Sequence, residues 1–342
     1  RAKRPLIWAG GGSVHAAPAL TALAEVWGAG VLTGAAGRGA ISEDHPLCLG
    51  NFAVSEELTG LLKRADCLLT VGSHLRSNET NNFQLNLPGK HVQIDVDADA
   101  LGRNYPVTLG ICADADVALP ALLDALGEPR SAARWADEVA EAAAAARAAH
   151  RADIGAYAAI CDSMRAHLTR EAPIVRDVTI PGSSWGNRLL EIYAPTSNIF
   201  AAGGGIGQGL GHAIGAGVGR ADEPVLAIIG DGGLAVHLGE LSTLAAEQPR
   251  VIVALFNDNG YGVLRHMQQA KDSEHRGVDL HTPDFELLAR SMGLPHARVG
   301  DADAFDRAMA EAVARRGPSL IEITVPDLEP QPKPFVPPVN VP

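Results

Sequence analysis

Two apolar runs, each closing on a glycine-rich acidic loop, constrain the fold of this chain more than any other feature. Pro224-Val225-Leu226-Ala227-Ile228-Ile229 leads into Gly230-Asp231-Gly232-Gly233. Arg250-Val251-Ile252-Val253-Ala254-Leu255-Phe256 leads into Asn257-Asp258-Asn259-Gly260-Tyr261-Gly262, which places Asp258 27 residues beyond Asp231. Both runs are short and uniformly apolar, the pattern of strands buried on both faces of a parallel sheet. Between them, His237 to Glu247 has helical length and composition. The unit is therefore predicted as strand, loop, helix, strand, with both loops opening on the same edge of the sheet. Acidic side chains at the two loop tips can then converge.

Those residue types suit a divalent metal carrying a diphosphate. Mg²⁺ is a hard cation that takes about six oxygen ligands, commonly one or two carboxylates with phosphate oxygens, a carbonyl and water. Asp231 and Asp258 can supply the carboxylates and Gly260 a main-chain carbonyl, while Gly230, Gly232 and Gly233 let backbone N–H groups come close to a phosphate. A lone GDG after a strand fits a structural turn equally well. The second loop, at matching topology, is what favours the metal clamp.

The paired loops resemble the signature of the thiamine-diphosphate-dependent enzymes, the family of acetolactate synthase, benzoylformate decarboxylase, pyruvate oxidase and oxalyl-CoA decarboxylase. The resemblance implies that Asp231, Asp258 and Gly260 hold the metal and that Tyr261 belongs to the same cofactor loop; Asp258 stands where many relatives have Asn. A second match is Ala202-Gly203-Gly204-Gly205-Ile206-Gly207-Gln208-Gly209, with Ile206 25 positions before Asp231. In relatives an apolar residue there wedges the cofactor into a bent shape, which brings its aminopyrimidine to the thiazolium C2, and Gly204 is the implied carbonyl acceptor. A core Ile206 in a glycine-rich turn is the alternative. Upstream, Arg4 to Gly12, Gly37-Arg38-Gly39, Asp44-His45-Pro46-Leu47, Ala65 to Gly72, His91 to Asp97 and Gly102 to Pro106 follow the order of the family's central domain.

The expected class is α/β, with two doubly wound parallel-sheet domains: a Rossmann-like central domain over 1–130 and a C-terminal cofactor-binding domain over 153–326. An Ala-rich helical linker over 131–152 is expected between them, with a Pro-rich tail over 327–342. A net charge of −12 over 342 residues argues against a nucleic-acid or anionic-membrane surface, and no apolar run reaches the ~20 residues of a membrane span. Cys48, Cys67, Cys112 and Cys161 are scattered without paired spacing, as in a cytoplasmic protein with reduced thiols.

Enzymes of this family carry an N-terminal pyrimidine-binding domain whose glutamate activates the cofactor, and nothing before the central domain is present here. The chain reads as the C-terminal two-thirds of an enzyme of roughly 550 residues, or as a separate subunit. No catalytic residue can then be named within it. The missing domain comes from the same gene or a partner chain, in a homodimer or homotetramer. The implied reaction is decarboxylation or carboligation of a small 2-oxo acid, placing the protein among the lyases or transferases, with thiamine diphosphate and Mg²⁺ as cofactors. FAD in the central domain is possible but not favoured, because the turn at Gly10-Gly11-Gly12 lacks a full GxGxxG. Leu264 and Met267, on a helix after the metal loop, are candidate pocket residues, though a helical Met is more often core. His266 as an acid/base group, and Ser183 and Ser184 as diphosphate contacts, compete with surface and capping roles. The contrasting reading is a non-catalytic nucleotide-binding or regulatory module that retains the metal clamp.

Overall fold

The computed structural model describes residues 2–127 and 133–335, which divide into two compact units, each an α/β layer built on a six-stranded, all-parallel sheet. The first unit takes in residues up to 149 together with 191–196. Its strands are β1 (Pro5–Ala9), β2 (Gly30–Thr33), β3 (Cys48–Gly50), β4 (Cys67–Val71), β5 (His91–Asp95) and β6 (Leu109–Cys112), in the order β3-β2-β1-β4-β5-β6. Its helices are α1 (Ala17–Trp27), α2 (Glu56–Arg64), α3 (Ala115–Leu126) and α4 (Ala133–Ile154), the last running past the unit's end. β1 lies between β2 and β4, so Leu6, Ile7 and Trp8 are completely buried.

The chain reverses direction across this sheet between β1 and β4, the crevice where dinucleotides bind in open α/β sheets. Here the glycine turn is committed to the protein itself. The Gly10 amide donates to Val71 O at 2.9 Å and the Gly12 amide to Gly72 O at 3.1 Å. A Cβ on Gly10 would stand 2.1 Å from Gly72 O, so this glycine is required by backbone contact. Beside β2, the buried Glu79 accepts the Ala35 amide at 2.9 Å and pairs with Arg76 at 3.0 Å. Arg38 and Glu43 form a fully buried two-point pair at 2.7 and 2.5 Å. Glu43 also accepts the Ile192 amide at 2.9 Å, which is how 191–196 joins this unit.

The segment expected as a linker is helical from Ala133 to Ile154, and Ser131 and Ala132 lie outside the described residues. Its early turns contribute to the first unit's core: Trp135, Val139 and Ala146 are buried, and the Trp135 indole donates to Pro5 O at 2.9 Å. The next helix covers Tyr157–Ala166.

The second unit spans 150–190 and 197–335. Its strands are β7 (Ile174–Arg176), β8 (Asn198–Phe200), β9 (Val225–Gly230), β10 (Val251–Asn257), β11 (His296–Val299) and β12 (Ser319–Thr324), in the order β11-β12-β10-β9-β7-β8. Its helices are α5 (Tyr157–Ala166), α6 (Ile180–Ser183), α7 (Gly209–Gly219), α8 (Asp231–Val236), α9 (Glu240–Glu247), α10 (Gly262–Gln269), α11 (Phe285–Ser291) and α12 (Ala302–Arg315). Its core joins the β9 and β10 side chains Val225, Ala227, Ile229, Val251, Val253 and Leu255 to Leu210, Leu241, Leu244 and Phe285.

The predicted helix over His237 to Glu247 is corrected in its start. Helical structure begins at Asp231, breaks at His237, which has φ −128°, and resumes at Glu240. Local glycine content concealed the first turn, since Gly232 and Gly233 are poor helix formers. Of the Pro-rich tail, residues 327–335 are described and 336–342 lie outside. Among the described residues no helix is long and apolar enough to cross a membrane.

Candidate functional site

The site grows from the carboxyl ends of three neighbouring strands, β7, β9 and β10. β9 ends at Gly230 in extended backbone (φ −91°, ψ 156°), and the chain turns at once into α8, whose first residue, Asp231, is 1% exposed. β10 ends at Asn257, and the loop reverses through Asn259 in the left-handed region at φ 59°. The Gly260 amide donates to Asp231 Oδ2 at 2.8 Å, which joins the two loops. A short stretch around Val278 and Asp279 fixes the second loop from outside, through Tyr261 N to Val278 O at 2.8 Å and Leu280 N to Asn259 O at 3.1 Å.

The glycines answer to close packing. A Cβ on Gly232 would meet the Tyr261 ring at 2.7 Å, one on Gly260 would meet Val278 O at 2.2 Å, and one on Gly262 would meet Asp258 Oδ2 at 2.0 Å. From α10, Arg265 folds back and donates to Asp258 O at 2.8 Å, Asn259 O at 2.6 Å and Asp279 Oδ1 at 2.8 Å. From β12, buried Glu322 accepts from Asn257 Nδ2 at 2.8 Å, His296 Nε2 at 2.9 Å and Arg298 Nε at 3.0 Å. Three hydrogen bonds outweigh the burial that pushes Glu322 up, and its carboxyl is held down to about 2.

Burial raises the Asp231 carboxyl above its ordinary value, against amide donors that include Gly232 and Gly260. Asp258 is pushed up to about 7 by burial first and by the adjacent Asp231 charge second, with Arg265 pulling the other way. Two buried carboxylates set side by side repel until a cation or proton sits between them. Asp258 Oδ1 is buried with no hydrogen-bond partner among the described residues, and Arg265 Nη1 lies 3.5 Å from it. An orphaned carboxylate oxygen in such a place is costly unless a ligand completes it, so the residues present fit a divalent cation. Among the described residues no group of three or more His, Cys, Asp or Glu side chains forms a metal cage. Two carboxylates with one carbonyl is the protein share expected of a cation that also binds phosphate.

Gly204, Ile206, Gly230, Asp231, Gly232, Gly233, Asp258, Gly260, Tyr261 and Leu264 all line one cavity of ≈ 610 Å³. Met267 is half-buried and is not among the lining residues. His266 lines the cavity, and its Nδ1 faces Phe335 O at 2.8 Å. Ser183 and Ser184 do not line it; their carbonyls accept from Arg188. His281 is exposed.

Sequence reasoning passed over three participants. Tyr157, at the start of α5, lines the cavity and stacks on Phe256 at 6.5 Å, with its hydroxyl pushed up to about 12 by burial and the Asp258 charge. Arg265 braces the loop after β10; a basic residue one helical turn after a glycine loop is a signal that was available. Asp177, after β7, is buried and accepts amides of the glycine-rich turn carrying Ile206. Nothing in its local sequence marks it.

A doubly wound unit whose two acidic loops meet over one cavity of ≈ 610 Å³ has the arrangement of a ligand-binding α/β domain, and comparison with known proteins gives the family. Residues 1–122 match the thiamine pyrophosphate enzyme central domain, and residues 182–323 match the thiamine pyrophosphate enzyme C-terminal TPP binding domain. The chain belongs to the thiamine pyrophosphate enzyme family. It is 33% identical over 325 residues to a probable 2-ketoarginine decarboxylase of Pseudomonas aeruginosa, covering 94% of this chain and 58% of that protein. Similarity extends to a probable acetolactate synthase large subunit of Methanococcus aeolicus (26% identity, 95% of this chain, 58% of that one). The acetolactate synthase large subunit of Parasynechococcus marenigrum is 29% identical (95% of this chain, 54% of that one). The chain thus spans a little over half the length of these relatives.

Proposed function

We propose that this chain is the central and C-terminal part of a thiamine-diphosphate- and Mg²⁺-dependent enzyme that decarboxylates or carboligates a 2-oxo acid. The observation that carries this reading is the convergence of Asp231 and Asp258 on the cavity that Ile206 also lines, with Asp258 Oδ1 lacking a hydrogen bond among the described residues. Asp231, Asp258 and the Gly260 carbonyl would hold the cation, and Gly230, Gly232 and Gly233 leave room for the diphosphate. When bound, thiamine diphosphate supplies a carbanion-stabilising thiazolium.

The chain's own residues bind, orient and exclude water. Arg265 and Glu322 brace the metal loop from either side, so the carboxylates need not reorganise when the cation arrives. Ile206 presents an apolar surface to the cofactor, and Tyr157, Phe256 and Leu264 extend that surface over the rest of the wall. The activating glutamate is assigned to a pyrimidine-binding domain contributed by the same gene or by a partner chain, in a homodimer or homotetramer. Four free thiols suit a cytoplasmic enzyme. Nothing in the site favours the non-catalytic module over the enzyme.

The first unit is read as structural, without bound flavin. The Gly10 and Gly12 amides are spent on Val71 and Gly72, and Glu79 already places a carboxylate on the Ala35 amide beside the crevice. A pyrophosphate approaching that amide would meet an anion.

Isothermal titration of the full-length enzyme with thiamine diphosphate, with and without Mg²⁺, tests the cofactor reading, and a panel of 2-oxo acids including pyruvate and 2-ketoarginine tests the reaction. Saturable, Mg²⁺-dependent binding and CO₂ release from a panel member are expected. Binding that ignores Mg²⁺ and survives Asp231→Ala would sink the site assignment.

A further inference from the structure

Gly207 is gripped on both of its peptide groups. Its amide, shared with the Ile206 carbonyl carbon, donates to Asp177 Oδ2 at 2.9 Å and Oδ1 at 3.2 Å, while its own carbonyl faces His237 Nδ1 at 2.7 Å. The same Asp177 carboxylate accepts the Gly209 amide at 3.2 Å and the Val178 amide at 2.7 Å. It is 3% exposed, and its charge is met by backbone donors from the next residue and from a turn 30 residues on. Three glycines make the arrangement possible. Gly207 takes φ +87° and has no room for a Cβ beside His237 Nδ1 (2.7 Å); a Cβ on Gly209 would meet Asp177 Cβ at 2.8 Å, and one on Gly233 would meet Asp177 Oδ2 at 2.9 Å.

The rest of that turn is held from within by Gln208, whose Oε1 accepts the Ala202 amide at 3.0 Å and whose Nε2 donates to Ala202 O at 2.9 Å and Gly205 O at 3.0 Å. Gly203 and Gly204 have nothing within 4 Å of a would-be Cβ, and Gly203, Gly204 and Gly205 are exposed. A glycine-rich turn left to itself samples many conformations. Ile206 nevertheless has to present its side chain at one place in the cavity; Gln208 ties the Gly205 carbonyl within the turn, whereas the bonds to Gly207 come from outside it and anchor the turn to the ends of β7 and α8.

We propose that Asp177 and His237 are positioning residues that act through Gly207 to set where Ile206 stands against the cofactor. This rests on the cofactor reading above. The carboxylate at the end of β7 and the imidazole at the end of α8 fix the peptide next to Ile206 before the cofactor arrives, so binding does not have to order the turn.

The test uses the full-length enzyme with Asp177→Asn, His237→Ala and His237→Asn, alone and combined with Ile206→Ala. Amide exchange at Gly207 and Gly209 is measured without cofactor, followed by thiamine diphosphate affinity at saturating Mg²⁺ and kcat at saturating cofactor. Asp177→Asn and His237→Ala should speed exchange and weaken cofactor binding on the order of tenfold, with kcat falling as well. His237→Asn restores a donor to the Gly207 carbonyl and should recover most of the loss. On an Ile206→Ala background neither change should cost more, because both act through that side chain. Losses that add in full to Ile206→Ala, or faster exchange with unchanged affinity, would overturn the proposal. If Asp177→Asn does not fold, the exposed His237 pair carries the test unaided. Wild-type enzyme that takes up no thiamine diphosphate would overturn the cofactor reading instead.

Discussion

The Gly260 amide donates to Asp231 Oδ2 at 2.8 Å, so the loop after β10 is docked on the carboxylate that begins α8. Asp231 Oδ2 thereby organises the second loop, whereas the proposed cation site depends on the charge of its carboxylate. Structure and cofactor binding are separable at this residue.

Asp231→Asn can keep an acceptor for the Gly260 amide while removing the charge. Thermal unfolding of the variant should lie close to wild type, whereas Mg²⁺-dependent binding of thiamine diphosphate should weaken by about a hundredfold or more. Asp231→Ala should lose binding and also about 1–3 kcal/mol of stability, because the Gly260 amide is left buried without a partner. Calorimetry and thermal melts on both variants check this.

Two glycines should respond oppositely to alanine. Gly260→Ala forces a Cβ to within 2.2 Å of Val278 O, a backbone atom that cannot step aside, and should disrupt the loop with loss of cofactor binding. Gly60 lies inside α2 with only the Arg64 guanidinium 3.8 Å away, and Gly60→Ala should raise stability by ~0.5–1 kcal/mol. Chemical denaturation distinguishes the two.

Acid should unfold the second unit in a window set by Glu322. Its carboxyl is held at about 2 in the folded protein against an ordinary value of 4.5, so the stability it contributes is fully present above pH 4.5 and is lost as pH falls towards 2. The contribution is on the order of 3 kcal/mol. Glu322→Gln should flatten the pH dependence of stability across that window, measured by denaturant titrations at several pH values.

Purified enzyme should be colourless and should not bind FAD. Fluorescence-polarisation titration with FAD is expected to show no saturable binding to wild type. Tight stoichiometric flavin would refute the reading that Glu79 and the committed Gly10 and Gly12 amides close the crevice between β1 and β4.

Much of the second unit was legible in the residues. Pro224–Ile229 and Arg250–Phe256 read as buried strands, and the structure gives Val225–Gly230 and Val251–Asn257 as adjacent parallel strands. Two such strands joined through a short helical connection must put their following loops on one edge, so the meeting of Asp231 and Asp258 was implicit in chain order. The helix after the loop that carries Asp258 was equally plain, and it forms over Gly262–Gln269. The early start of α8 was hidden by its glycines, and the lining of the cavity by Leu264 but not Met267 depended on the helix's rotation against its neighbours.

What the sequence by itself determined is the chemistry at the strand ends: residues with short-range patterns and fixed loop spacing carry their own signal. The tertiary structure decided which distant residues complete that chemistry. Asp177 reaches the glycine-rich turn because β7 pairs with β8, and Glu322 reaches Asn257 because β12 pairs with β10. Strand order is settled by packing the whole sheet, through contacts far apart in the chain, and no local period or motif encodes it.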